Sequence, residues 1–465
     1  MQIFLSLAFL SFYWLGGALP ELEFGIGPRE LLILGVAVVG APALLWSWGR
    51  WLRSIRLAGA EWSLVASWVT SDRGVLGLWL AFSLVGLTSG GWAPFVRAWL
   101  ANSRWTPLEF PLILFPSLVA LLGCWWMQAY VSHCPAATVG GLPPAARGDD
   151  RRSLEFVRLR VQVYLLLALL PLLCVSTAQL LTHAVVQKWF GPWSLVPLSM
   201  LILLGSLAIL PRIIARGWGT IPLPSGELRE RLWAASEAAG VRFRDIRLWP
   251  TGGRISNALI LGSIFPRKWL IVSDGLVYLL DHEQLATVVA HEAGHVRAGH
   301  LGQRTCLFAA PLVSIALAHV VNPEPIGAVL AALQHPAEGT AWLAWVTIPL
   351  FYALYVWTVV GWMSRRMETE ADLAAVGRRV TRKEFEIDRR AAGVFSHALL
   401  RLAEETGQDP FRGSWLHPSL GQRILFLSRV SHSPGLAVAF LEEQRQRRGW
   451  VRWGWLALTG ILAAI

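Results

Sequence analysis

His291-Glu292-Ala293-Gly294-His295 sets two histidines four residues apart, with a glutamate beside the first. On a helix, positions i and i+4 lie about 40° apart around the axis after one full turn, so both imidazoles leave one face and can grip one cation. This HExxH pattern binds zinc through its histidines and uses its glutamate to move the proton of the attacking water. The competing reading is a polar helix face that holds two histidines by chance. A catalytic zinc needs a third protein ligand and keeps its fourth position for water. One class of zinc proteases takes a histidine six residues past the second, but Leu301 stands there and His300 is one residue short. A carboxylate is therefore expected. In Glu368-Thr369-Glu370-Ala371-Asp372, Glu368 and Asp372 share a helix face and Glu370 points roughly the other way. Glu368 is the better ligand, and Asp372 is suited to accept a hydrogen bond from a ligating imidazole and fix its tautomer. An acidic patch paired with Arg365 and Arg366 is the alternative for this run.

The elements that must hold these groups can be read around them. Asp281 with Gln284 three residues on resembles a capping box, opening a helix whose apolar stripe is Leu285, Val288 and Val289. Upstream, Gly226 to Gly240 reads as a helix. Ile246 to Trp249, Ala258 to Leu261 and Trp269 to Val272 read as strands bounded by Pro250, Gly252, Gly253, Gly262 and Asp274, so a small sheet is expected.

The chain as a whole is apolar. Of 465 residues, 54% are hydrophobic and 15% charged, and the mean hydropathy is +0.49. A soluble domain carries about 25% charged residues, so an ordinary soluble enzyme is excluded. Nine apolar segments approach or reach the length that crosses a bilayer: 2–19, 31–47, 75–93, 111–131, 161–182, 192–214, 305–322, 341–363 and 450–465. The first has the length of a cleaved signal, yet its start has no Lys or Arg. The last either crosses or lies flat in the interface. The expected organisation is a membrane region of about six spans at 1–214, a catalytic region at 215–304, two spans at 305–363, a helical catalytic region carrying the third ligand at 364–449, and a C-terminal span at 450–465. Of 39 Lys and Arg in the connections, 35 fall on alternate loops, which include both large polar regions. The positive-inside rule puts that side in the cytosol. The net charge of +11 is therefore read as a lipid partner, with no nucleic acid expected. Cys124, Cys134, Cys174 and Cys306 lack CxxC spacing, which argues against both a disulfide framework and a thiolate zinc site.

The order HEAGH, two spans, then Ser364-Arg365-Arg366-Met367-Glu368-Thr369-Glu370-Ala371-Asp372 resembles the integral-membrane zinc metallopeptidases of the HtpX and CAAX prenyl endopeptidase type. Ser256-Asn257-Ala258, Gly299-His300, and His417-Pro418-Ser419 with Arg423 are weaker matches, and together they cover about residues 220–430. The resemblance implies a gluzincin-like site with one catalytic Zn2+ held by His291, His295 and Glu368. It makes Glu292 the general base and acid and Asp372 a support for the ligands. His417 and Arg423 would stabilise the oxyanion or hold the carboxylates, and Asn257 would begin a strand beside the substrate. Thr369 departs from the family, which often has an aromatic there. Nine spans exceed its usual four or seven, and the resemblance does not extend to the first six.

The function expected is a zinc-dependent endopeptidase that cleaves extended, unfolded or membrane-derived polypeptide lying along the edge strand 258–261. Asp281, His282 and Glu283 before the motif, and Arg297, His300 and Arg304 after it, set it at a membrane surface instead of inside a spanning helix. The alternatives are a transporter or scaffold with a structural zinc site, which requires a fourth ligand such as Asp372 or His300, and a sensor protease with one dedicated partner.

Overall fold

The computed structural model describes residues 27–57, 71–132 apart from 90 and 101–107, 150–165, 209, 211–262, 268–321, 324, 347, 350–406 and 409–464. The chain divides into two compact units, Met1–Trp218 and Gly219–Ile465, so the second unit begins four residues after the start expected at 215.

In the first unit the described helices are α1 (Pro28–Leu57), α2 (Asp72–Ser89), α3 (Trp92–Leu100), α4 (Glu109–Ser132) and α5 (Asp150–Arg160). Ala41, Leu45, Trp79, Leu121 and Trp125 form their shared core. Inside it the Trp79 indole N–H donates to the Ser117 carbonyl at 2.7 Å, so the polar edge of a buried ring is satisfied. Arg160 pairs with Asp72 at 2.7 Å. Leu31, Leu32 and Val39 stay exposed on α1, the surface expected of a helix solvated by acyl chains.

Among the described residues, Pro28–Trp51 and Pro111–Tyr130 are long and apolar enough to cross a membrane, and Gly74–Gly86 is a shorter apolar helix. The expected span 75–93 is interrupted. Its helix ends at Ser89 and a new one starts at Trp92, after Gly91 turns the chain with φ 60°. The expected segment 2–19, most of 161–182 and 192–214, and the start of 341–363 lie outside the described residues.

The second unit carries the HExxH motif and the acidic run. Its sheet runs in the order β1-β2-β4-β3, built from Ile221–Pro222 (β1), Asp245–Trp249 (β2), Ala258–Leu261 (β3) and Trp269–Ser273 (β4). The central β2 and β4 are parallel, and the outer strands pair antiparallel. β3 therefore has one free edge. Helices α6 (Glu227–Ala238), α7 (Asp274–Leu279) and α8 (His282–Arg297) complete this part. The sequence places the three long strands and α6 within two residues of their observed ends because each is fenced by Gly, Pro or Asp.

The HExxH motif sits on α8. Asp281 caps it: its carboxylate accepts from Gln284 N at 2.8 Å, and the Gln284 side chain accepts from Asp281 N at 3.2 Å. Leu285, Val288 and Val289 then face Leu270 and Val272 of β4 in one buried cluster. Gly299, with φ 67°, takes the left-handed turn that ends the helix. The chain folds back at once into α9 (His300–Val321).

Helix α10 (Gly361–Val376) carries Glu368 and Asp372 and follows a wider π turn at Val356–Val360. It crosses α8 at Gly294, where an added Cβ would lie 2.8 Å from Cβ of Ala374 and 3.2 Å from Cα of Ala371. The glycine of HEAGH is thus where the two helices touch backbone to side chain.

Beyond α10, the region expected to be helical contains a hairpin, β5 (Gly377–Thr381) and β6 (Glu384–Ile387). Phe385 alone buries a large side chain from the alternating run Glu384-Phe385-Glu386-Ile387. That run is too short and too charged for its period of two to stand out in the sequence. The helices α11 (Arg389–Thr406), α12 (Leu420–His432) and α13 (Gly435–Ala464) finish the unit. The apolar half of α13, expected at 450–465, lies along α9, with Thr459 Oγ1 2.9 Å from Ser314 Oγ. A third candidate crossing arises only if α12 and α13, bent by 120°, are taken together.

The helix crossing makes a prediction. Gly294→Ala should destabilise the protein by about 1–3 kcal/mol through overpacking, and Ala374→Gly in the same chain should restore most of the loss, read as the thermal unfolding midpoint in detergent. An unchanged or raised midpoint, as helix propensity alone would give, contradicts the tight crossing.

Candidate metal centre

Three donor atoms converge where α8 meets α10. His291 Nε2 and His295 Nε2 lie 3.2 Å apart. Glu368 sets Oε2 3.7 Å from the first and Oε1 3.6 Å from the second. A tetrahedral ion with bonds of about 2.0–2.2 Å holds its donors about 3.3–3.6 Å apart, so the spacing fits one such ion. Two imidazole nitrogens this close cannot both turn lone pairs on each other, so a proton on one of them or a metal cation lies between them.

The far nitrogen of each imidazole is held separately. His291 Nδ1 sits 2.9 Å from Asp372 Oδ1. The carboxylate lies off the ring N–H axis, so this is an electrostatic contact and not an in-line hydrogen bond. Arg423 grips the same carboxylate with two bonds, Nε to Oδ2 at 2.9 Å and Nη2 to Oδ1 at 2.5 Å. Phe395 packs against the His291 ring at 5.6 Å between centroids and under the Arg423 guanidinium at 5.7 Å.

On the other side, His295 Nδ1 is 2.8 Å from His300 Nδ1, and His300 Nε2 is 3.2 Å from Glu370 Oε2. Glu370 in turn pairs with Arg448. A carboxylate only accepts, so His300 donates from Nε2 and its Nδ1 is left to accept from His295 Nδ1–H. That order of bonds leaves the lone pair of His295 on Nε2, facing the cluster.

Electrostatics separates these groups. Burial opposes charge on His291, yet Asp372 and Glu368 outweigh it and push its pKa up to about 9. Burial and the charge on His291 hold His295 well below the usual imidazole range. Burial would raise Glu368, but His291 and His417 keep its carboxyl well below the carboxylate range. Asp372 is likewise buried and still lowered, by Arg423 first. Glu292 differs: burial pushes it up to about 7, and among the described residues its carboxyl has no hydrogen bond or ion pair.

The structure brings His291, His295, Glu368, Asp372 and Arg423 together. His417 is exposed, with Nδ1 3.1 Å from Glu368 Oε2. Of the two roles expected for Arg423, its bonds match holding a carboxylate, because both donors it directs at the site end on Asp372. Asn257 stands exposed at the head of β3. Its main chain bonds to Ser273, and among the described residues it makes no hydrogen bond to the cluster. The alternative pairing of the acidic run fails, since Arg365 donates to the Trp415 carbonyl and Arg366 to Gln444 and Glu443.

Sequence reasoning gave His300, Glu370, Arg448 and Arg304 no part in supporting the ligands. His300 reads as a solvated helix end but is 1% exposed, and Arg304 Nη2 donates to Glu368 Oε1 at 2.8 Å. The one available signal was the Gly299-His300 pair, because a glycine turn straight after HExxH returns the chain to the same histidines.

Residues 222–431, which contain every one of these groups except Arg448, match peptidase family M48. The chain is 25% identical over 213 residues to the protease HtpX of Shewanella piezotolerans, covering 44% of this chain and 69% of that protein. It is 28% identical over 146 residues to the CAAX prenyl protease 1 homolog of Dictyostelium discoideum, and spans 33% of that protein's length. The crystal structure of S. mikatae Ste24p has the same fold, with a TM-score of 0.50 over 87% of this chain and 100% of that one at 15% identity. These likenesses indicate an integral membrane protein related to membrane-bound proteases, as the HEAGH and SRRMETEAD runs led one to expect.

The Arg423 grip predicts its own loss. Arg423→Met leaves the Asp372 charge buried and uncompensated, which should cost about 3–5 kcal/mol in thermal or denaturant unfolding. A variant as stable as wild type would contradict the grip.

Proposed function

We propose that this M48 protein is a zinc-dependent endopeptidase embedded in a membrane of 8 or 9 spans, cleaving extended, unfolded or membrane-derived polypeptide at its cytosolic face. The reading is carried by one observation: two imidazole Nε2 atoms and a buried carboxylate oxygen directed at one point, with all three ligand atoms within 4.8 Å of one another. His291, His295 and Glu368 would hold the ion. Zinc bound there supplies a Lewis acid that brings a water's pKa to about 7 and polarises the scissile carbonyl.

The protein's own groups do the rest. Glu292, free of partners and with a pKa near neutrality, takes the proton from the attacking water and returns it to the leaving amine. Arg423 through Asp372 orients His291, and Glu370 through His300 orients His295, so both keep Nε2 toward the ion. His417, exposed beside Glu368, is suited to donate to the oxygen that gains charge on the substrate carbonyl. The free edge of β3 accepts an extended backbone as an added strand, which reads extension more than side chains. Asn257 opens that strand. The wording "CAAX prenyl protease" belongs to the Dictyostelium relative, and here it supports a substrate drawn from the membrane surface.

A structural zinc is less well supported, because neither candidate fourth ligand faces the cluster. Asp372 is taken by Arg423 on the far side of His291, and His300 meets the far nitrogen of His295. The topology rests on the alternation of Lys and Arg between loops, and on the exposed Trp450 and Trp453 of α13 beside exposed Phe351, Leu354 and Trp357.

Glu292→Gln separates the readings. It should retain one zinc per chain by elemental analysis and lower peptide hydrolysis about 10²–10⁴-fold. Membranes carrying wild type and Glu292→Gln should differ in newly formed peptide N-termini, and identical profiles would reject the protease.

A further inference from the structure

Behind the catalytic pair of helices, away from the three ligands, lies a cavity of about 340 Å³ between α8, α10, β5–β6 and the first half of α13. Its walls carry four guanidinium groups, Arg297, Arg379, Arg445 and Arg448, against a single carboxylate, Glu370. Among the described residues, Arg297 and Arg445 have no ion pair or hydrogen bond. Gln444, 1% exposed, lines the same space. Its Oε1 is taken by Arg366 Nε at 2.8 Å, and its Nε2 donor is left unpaired, as is Arg448 Nε. Burying unpaired donors costs free energy, and every one of them here awaits an acceptor.

Forked, cationic donors around a cavity suit a tetrahedral oxyanion, because guanidinium binds phosphate with two parallel bonds. The walls also hold Phe385 and Leu441, which match the carbon portion of an amphiphile better than a bare ion. The position in the chain points the same way. Arg448 stands two residues before Trp450 and five before Trp453, both exposed, after which α13 turns apolar. Five helical residues span about 7–8 Å, so the cavity opens at the depth of headgroups, where indole rings settle and basic pockets take acidic lipids.

We propose that this cavity binds the phosphate group of an anionic phospholipid. Its wall also reaches the metal cluster, since Arg448 pairs with Glu370, Glu370 with His300 and His300 with His295.

The test reads binding, not proteolysis, and so stands whether or not the peptidase reading does. Full-length protein in a neutral detergent would be titrated with short-chain phosphatidylglycerol, with phosphatidylcholine and with inorganic phosphate, following the thermal midpoint and counting bound lipid by native mass spectrometry. Wild type should show a saturable rise with phosphatidylglycerol and none with phosphatidylcholine. Arg297→Gln/Arg445→Gln, which removes two exposed, unpaired side chains, should need about tenfold more lipid or greater, the loss of at least about 1.4 kcal/mol. Arg445→Gln alone should fall between the two. A rise with inorganic phosphate alone, lost in the double variant, would overturn the lipid source and assign the site to free phosphate. No rise with either phosphate probe, or equal rises in wild type and the double variant, would overturn the site itself.

Discussion

Two imidazole nitrogens and a buried carboxylate share so small a space only with a proton or a metal cation among them, and the second unit is built to enforce that proximity. The sheet fixes α8 through Leu285, Val288 and Val289, and the capping box fixes where α8 begins. The contact of Gly294 with Ala371 and Ala374 then delivers α10, and Glu368 with it. Attraction between a cation and three ligands offsets the cost of gathering them.

Two supports of different kind hold the imidazoles. On the His291 side the support is charged: a carboxylate gripped by a guanidinium over an aromatic face. On the His295 side it is a neutral histidine leaning on Glu370. Each arm ends on a residue far away in sequence, Arg423 on α12 and Arg448 on α13. The site is therefore completed only when the last helices dock, and it is tied to the helix that carries the exposed tryptophans. The arginine that ends the His295 arm and the exposed tryptophans lie on one helix.

Much of this was legible in the residues. The i, i+4 spacing of His291 and His295, the cap at Asp281 and the glycine and proline fences around each strand are local signals, and local signals survive in a single sequence. Glu368 and Asp372 were legible because one helix face carries both, although their meeting with the histidines depends on a crossing with a helix far earlier in the chain. What stayed hidden is what depends on packing. Nothing local distinguishes a buried His300 from a solvated one, and Gly294 shows its purpose only against Ala374. The β5–β6 hairpin has one buried aromatic residue to betray it, and Arg448 finds its partner across 78 positions. Asn257 was placed by the same kind of local signal, and it stands at the head of β3 as expected.

The central claim, one ion held by two histidines of α8 and one acid of α10, is tested most directly by zinc K-edge X-ray absorption on the purified protein with and without Glu368→Ala. The account predicts one zinc per chain with about two imidazole nitrogens and one or two oxygens at about 2.0–2.1 Å, and loss of an oxygen together with much weaker retention in the variant. A sulfur-containing shell, or a shell and affinity unaltered by Glu368→Ala, would contradict it.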